Sequence, residues 1–142
     1  MLSGIHNVPT IIFFGSEKWP EFYGYLQKMG RNLLIVYGSQ SSRQELISKK
    51  LKSNLKNTGV KITELIGVKP NPDAELVYKG INICKKMNVD SVLAVGGGSV
   101  IDTAKAIGIG AIAHHDFFEF FEKKETPITS LPVGVLLTIS GS

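Results

Sequence analysis

The sequence has very little cysteine and no long apolar run. A single cysteine, Cys84, excludes an intrachain disulfide and a cysteine-rich metal site. No apolar run approaches the roughly 18 residues that a membrane-spanning helix needs. The N-terminus lacks the basic segment followed by an apolar stretch that marks a signal peptide. We therefore expect a cytoplasmic protein without a membrane partner.

The excess of positive charge is small, and aromatic residues are few. Sixteen Lys and Arg residues oppose twelve Asp and Glu residues, for a formal net charge of +4, and aromatics make up 8% of the chain. The lysines are dispersed, whereas a nucleic-acid interface needs a basic stripe with interleaved aromatics. We therefore expect no nucleic-acid partner.

Histidine is also scarce, and its placement argues against a metal site. His114 and His115 are adjacent, so on a helix their side chains would diverge by about 100° and could not easily share one ion. His6 is isolated near the N-terminus. Because a protein site for zinc usually needs three or four ligands, we predict no metal site in this chain.

The chain does contain alternating strand and helix patterns. Its 142 residues, 43% of them hydrophobic, suit one domain with a real core. Apolar runs predict strands, and apolar positions spaced by three and four predict helices. The predicted strands are residues 10–14, 33–37, 60–66 and 91–95, with two more around Gly134 within 129–139; the predicted helices are residues 17–29, 43–57, 73–87 and 100–113.

This alternation predicts the fold class. Strands that alternate with helices of this length form a parallel sheet covered by helices on both faces. The segments LLIVY (33–37) and VLAV (92–95) are almost wholly apolar, as strands buried on both faces must be. We therefore predict an α/β fold, a Rossmann-like, doubly wound and mainly parallel sheet, with residues 1–142 forming one domain.

A glycine-rich turn separates a predicted strand from a predicted helix. Gly96, Gly97, Gly98 and Ser99 stand at the carboxyl end of the strand, where ligands bind in such sheets. Glycines let a phosphate approach the backbone, and the first turn of the helix offers free N–H groups and partial positive charge. Ser99 could cap the helix or bind a phosphate oxygen, and Asp102 is expected in its first turn. The alternative is a tight turn without a ligand.

Five segments of the sequence together resemble a known family. The landmarks appear in the same order as in the iron-containing (group III) alcohol dehydrogenases, especially the butanol-dehydrogenase-like branch, and GGGSVIDTAK is the most specific. They are FFGS (13–16), LLIVYGSQS (33–41), GVKPNP (67–72), GGGSVIDTAK (96–105) and LPVGVLLTISGS (131–142).

The resemblance implies an enzyme that moves hydride between a nicotinamide dinucleotide and an alcohol or aldehyde. This chain would be its dinucleotide-binding domain, of the dehydroquinate-synthase-like type. By position, Gly97, Gly98 and Ser99 would hold the pyrophosphate. Further residues would lie along the nucleotide, namely Thr138 and Ser142 toward its adenine and pyrophosphate side, Asp102 near the nicotinamide, and Lys105 in support of the same helix.

A second strand end bears on the choice of cofactor. NAD-preferring relatives carry an acidic residue near the position of Gly38, where it binds the adenosine ribose. Here Gly38 is followed by Ser39, Gln40, Ser41 and Ser42, with Arg43 close by. Hydroxyls and a cation without a carboxylate favour NADP over NAD. The alternative is that these residues only cap the following helix.

The resemblance also implies parts that this sequence does not include. The family's helical domain, with its divalent metal (iron or zinc), lies beyond Ser142. We therefore expect a truncated chain with no catalytic residue and no turnover, from an enzyme that forms a homo-oligomer such as a dimer. Two alternatives stay open. One is a related glycerol dehydrogenase, glycerol-phosphate dehydrogenase or dehydroquinate-synthase-like enzyme. The other is a non-catalytic nucleotide-binding domain.

Overall fold

The computed structural model describes residues 11, 13, 15–70, 74–113 and 129–137. Within these ranges a short 3-10 turn leads into four helices and four strands that alternate along the chain. The helices are α1 (Trp19–Met29), α2 (Ser42–Leu55), α3 (Ala74–Met87) and α4 (Gly98–Ile112); the strands are β1 (Asn32–Tyr37), β2 (Lys61–Leu65), β3 (Ser91–Gly96) and β4 (Val133–Leu137).

The four strands form one parallel sheet in the order β2-β1-β3-β4. The two central strands are the predicted apolar runs, and Leu33 to Tyr37 and Ser91 to Val95 are all buried. Such burial on both faces explains why these strands show no polar alternation. The predicted α/β class and parallel sheet are confirmed.

Alternate residues of the central strands enter two separate cores. Leu34 and Val92 face the core that α3 and α4 cover, whereas Leu33 and Leu93 face the core that α1 and α2 cover. Because successive side chains of a strand point to opposite faces, the helices lie in two layers around the sheet. Cys84 lies in the first core, where burial raises the pKa of its thiol to about 11.

The prediction of two strands around Gly134 is wrong, because β4 runs through this glycine without a break. A Cβ atom at Gly134 would lie 3.3 Å from Leu93 Cδ1 and 3.4 Å from Met29 Sδ. Gly134 therefore allows close packing and does not mark a turn. The strand predicted at 10–14 lies largely outside the described residues, and its described members, Ile11 and Phe13, belong to no regular element.

At the amino edge of the sheet, one carboxylate holds two segments together. Asp90 accepts hydrogen bonds from the amides of Arg31 (2.9 Å) and Asn32 (3.0 Å), and its own amide donates to the Asn32 carbonyl (2.9 Å). These bonds fix the start of β1 against the start of β3. In the described part of the chain, no helix is long and apolar enough to cross a membrane.

Candidate functional site

The two small-residue strand ends meet at the centre of the carboxyl edge. From β1 the chain moves outward to β2, then returns to place β3 on the other side of β1. Tyr37 pairs with Val95, so the next residues lie side by side: Gly38 just beyond β1 and Gly96 at the end of β3. Ligands of doubly wound sheets bind in the crevice at such a reversal of strand order. The structure therefore brings both predicted segments to one crevice.

Val100 forms the floor of this crevice. Gly96 has φ 152°, and a Cβ atom there would lie 2.7 Å from Val100 Cγ2. A Cβ atom on Gly38 would lie 3.6 Å from the same methyl carbon. Because Val100 is buried, these two glycines keep the strand ends close to the core and add no side chain of their own to the crevice.

The first turn of α4 faces this space. Gly97 is the N-cap residue and Gly98 the first residue of the helix, with no side chain of the described residues capping it. The first N–H groups of a helix have no partner within it, so they are available to an anion. A Cβ atom at Gly98 would meet no atom of the described residues within 4 Å, so packing does not require glycine there. A ligand that approaches the backbone closely would require glycine at this position.

Two expectations for α4 are wrong, because the helix begins at Gly98 and not at Val100. Ser99 therefore lies inside the helix and does not cap it. Its hydroxyl donates a hydrogen bond to the Pro70 carbonyl (2.7 Å). Asp102 is exposed and lies beyond the first turn, which contains no acidic residue.

At the neighbouring helix, the capping interpretation is confirmed for Ser41. Its side chain accepts a hydrogen bond from the Gln44 amide (3.1 Å) and caps α2. Ser39 is exposed between the end of β1 and this cap. Gln40 donates to the Glu45 carboxylate (3.2 Å), so one acidic group does lie near this strand end.

A loop that sequence reasoning treated only as a landmark crosses the crevice. The Gly67 amide donates to the Gly38 carbonyl (2.9 Å), and the Val68 amide donates to the Tyr37 carbonyl (3.2 Å). With the bond from Ser99 to Pro70, residues 66–70 are attached both to the end of β1 and to the start of α4. The prolines of GVKPNP signalled an irregular segment, but no pattern in the sequence revealed these attachments.

Below the end of β1 lies a polar cluster around Glu64. Its carboxylate accepts a hydrogen bond from Ser48 (2.6 Å) and forms an ion pair with Lys52. Burial raises the pKa of Glu64, but the bonds from Lys52 and Ser48 and the Lys52 charge outweigh it and hold the pKa below its ordinary value. The nearby Tyr37 hydroxyl is buried without a well-formed hydrogen bond, and burial raises its pKa. The cluster attaches α2 to β2.

Thr138 and Ser142 lie outside the described residues, so their roles stay predictions. His6, His114 and His115, at which we predict no metal site, also lie outside them. Within the described ranges, no group of three or more His, Cys, Asp or Glu side chains could hold a metal ion.

Comparisons with known proteins place the chain. The model of the family "iron-containing alcohol dehydrogenase" matches residues 9–142. Over 134 residues the chain is 40% identical to a probable NADH-dependent butanol dehydrogenase of Bacillus subtilis, covering 94% of this chain and 35% of that protein. It is 34% identical over 121 residues to an NADPH-dependent butanol dehydrogenase of Clostridium saccharobutylicum, covering 82% of this chain and 28% of that protein.

Solved structures agree with this placement. The crystal structure of an NADH-dependent butanol dehydrogenase from Thermotoga maritima superimposes with a TM-score of 0.81 at 33% identity, covering 94% of this chain and 35% of that chain. The present chain thus spans about a third of the length of the relatives it matches.

Proposed function

Since the chain belongs to the iron-containing alcohol dehydrogenase family, we propose that it is the dinucleotide-binding part of a metal-dependent alcohol dehydrogenase. The reaction of the whole enzyme would be hydride transfer between a nicotinamide ring and a small alcohol or aldehyde. Within the described residues there is no candidate for the metal ligands. We assign the iron or zinc, and with it turnover, to the rest of such an enzyme.

One observation carries the proposal, which is the uncapped start of α4 beside two strand ends without side chains. Of the two helices that begin at this crevice, α2 is capped by Ser41, whereas no side chain in the described part of the chain caps α4. Gly98 adds backbone that an anion could contact directly, because no atom of residues 15–70, 74–113 or 129–137 lies within 4 Å of a Cβ atom placed there. A pyrophosphate would supply the missing acceptors for these N–H groups.

The geometry at α4 supports the pyrophosphate contacts in the proposed set of residues. The backbone N–H groups of Gly97, Gly98 and Ser99 would bind the pyrophosphate, and Gly96 would allow it to approach. The Ser99 hydroxyl would serve differently from the sequence prediction, by holding the loop at Pro70. Gly38, Ser39 and Ser41 would lie beside the adenosine ribose, and the remaining proposed contacts are Asp102, Thr138 and Ser142.

For the cofactor we propose NADP in preference to NAD. Residues 38–43 contain no carboxylate, and the nearby Glu45 carboxylate accepts a hydrogen bond from Gln40, so the residues that follow β1 would not themselves repel a 2′-phosphate. Relatives do not decide the matter, because both NADH-dependent and NADPH-dependent butanol dehydrogenases are among them. We also propose a homo-oligomeric whole enzyme and, from the single reduced cysteine, a cytoplasmic location.

A charge placed at Gly98 tests the proposal. Gly98→Asp puts a carboxylate in the first turn of α4, where it suits the helix dipole and should not harm folding, but would repel a pyrophosphate. We expect calorimetric titration to show NADPH binding to the original chain and at least about tenfold weaker binding to this variant. Gly24→Asp is the control, since Gly24 in α1 also has open space beside it.

The control separates a local effect from a general one. Unchanged binding in Gly98→Asp would refute a pyrophosphate at this turn. Equal losses in both variants would point to a general effect of added negative charge. Thermal unfolding of each variant confirms that the fold is retained.

A further inference from the structure

The loop over the crevice carries a lysine, Lys69. Lys69 lies between Val68 and Pro70, the two residues whose backbone groups attach the loop to β1 and α4. Its residue is exposed, whereas Val68 is only 4% exposed and belongs to the core together with Val100. The backbone on the N-terminal side of Lys69 is therefore anchored in the protein interior.

The position of this backbone is close to the proposed ribose site. The Val68 carbonyl oxygen, which immediately precedes Lys69, lies 3.7 Å from the place that a Cβ atom on Gly38 would occupy. The loop thus runs alongside the end of β1. A lysine carries its charge on a flexible four-carbon stem, so its ammonium can reach groups held above Gly38.

We propose that Lys69 selects a 2′-phosphorylated dinucleotide by pairing its ammonium with the 2′-phosphate. The inference rests on the proposed function, because it takes the crevice as the dinucleotide site. In related α/β folds, discrimination at the ribose is electrostatic: a carboxylate binds the 2′-hydroxyl of NAD, and a cation accommodates the 2′-phosphate of NADP. Here the crevice receives its cation from a tethered loop, beside a strand end that lacks a carboxylate.

Two other charged side chains lie near this strand end. Arg43 is exposed in the first turn of α2, and Glu45 accepts a hydrogen bond from Gln40. Lys69 is preferred because its backbone is fixed on both sides at the crevice, whereas Arg43 follows the Ser41 cap on the helix surface. The experiment therefore includes both cations.

The test measures NADPH and NADH binding to the 142-residue chain by calorimetry at one ionic strength. The variants at the loop are Lys69→Gln, which removes the charge, and Lys69→Glu, which reverses it. Arg43→Gln removes the charge of the other cation. Lys61→Gln is the control, because Lys61 is exposed at the opposite, amino end of β2. We expect Lys69→Gln to weaken NADPH binding about tenfold and NADH binding less than about twofold. Lys69→Glu should reverse the preference.

The outcomes that would overturn the proposal differ from one another. Equal losses for both nucleotides would place the ammonium on the pyrophosphate, and selectivity that depends on Arg43→Gln instead would transfer the role to Arg43. If the original chain binds both nucleotides and Lys69→Gln changes neither, this inference alone is wrong. If the original chain binds neither nucleotide, the proposed function fails and the role of Lys69 fails with it.

Discussion

Val100 Cγ2 lies 2.7 Å from the position that a Cβ atom on Gly96 would occupy. Val100 belongs to the first core, and Gly96 is the last residue of β3. The end of the central strand and the first turn of α4 are therefore packed without room for one methyl group. Glycine at position 96 is a requirement of folding, while glycine at position 98 has no such structural reason.

Alanine substitutions at these two glycines should differ in their effect on stability. Gly96→Ala combines a positive φ with overlap against Val100, so we expect a loss of about 2–3 kcal/mol in the free energy of unfolding. Gly98→Ala should keep or slightly raise stability, because alanine favours a helix more than glycine does. Urea unfolding of both variants measures the difference. Equal stability of the two would contradict the packing described for Gly96.

Removal of the Ser99 hydroxyl should loosen the loop over the crevice. Ser99→Ala deletes the bond to the Pro70 carbonyl and should cost about 1 kcal/mol. Hydrogen exchange at the Gly67 and Val68 amides should accelerate, because the loop keeps only its attachment to β1. Ser53→Ala, an exposed position on α2, is the control. Unchanged exchange at both amides would show that the loop does not depend on Ser99.

A methyl group at Gly30 should destabilise the amino edge of the sheet. Gly30 has extended backbone that any residue can adopt, but a Cβ atom there would overlap the Asp90 carboxylate. Gly30→Ala should therefore cost about 2 kcal/mol by displacing the acceptor of the Arg31 and Asn32 amides. In a double-mutant cycle with Asp90→Ala, the two losses should not add. Additive losses would mean that the substitutions act independently.

The Glu64 cluster should make the stability of the fold depend on pH in the acidic range. Because the folded pKa of Glu64 lies below its ordinary value of 4.5, its stabilisation is present above that value and is lost as the pH falls through the folded pKa. Glu64→Gln should therefore be less stable than the original chain near pH 7, and this difference in stability should narrow as the pH falls below 4.5. Chemical unfolding at several pH values measures this gap.

The control for this series is Ser53→Ala, which changes an exposed side chain of α2 that does not ionise. The stability difference between this variant and the original chain should not change with pH. A gap between the Glu64 variant and the original chain that stays constant with pH would show that the carboxylate contributes no ionised-state stabilisation.

Fold and site differed in how far the sequence could predict them. The central strands were predictable because strands buried on both faces are continuous apolar runs. All four helices were predictable because burial on one side spaces their apolar residues by three and four. The continuous strand through Gly134 was not predictable, because the space for this glycine is limited by Leu93 and Met29, which come from distant parts of the chain. A local sequence pattern contains no information on contacts between distant segments.

At the crevice the same distinction applies. The glycines of both strand ends were predicted as site residues, since a run of small residues at a strand end is visible in one segment. The partners of Ser99 and of residues 67 and 68 were not predicted, because each bond joins segments about 30 residues apart. The exact start of α4 also escaped, since glycine is a weak signal for the first helical residue.

The strand order β2-β1-β3-β4 has a consequence for how the chain assembles. β2 can add to one side of β1, β3 then adds to its other side, and β4 adds to the outer side of β3. Each strand joins an edge that already exists when it is synthesised, and none has to insert between two paired neighbours. The sheet can therefore form in the order in which the chain leaves the ribosome, as N-terminal parts of proteins generally fold first.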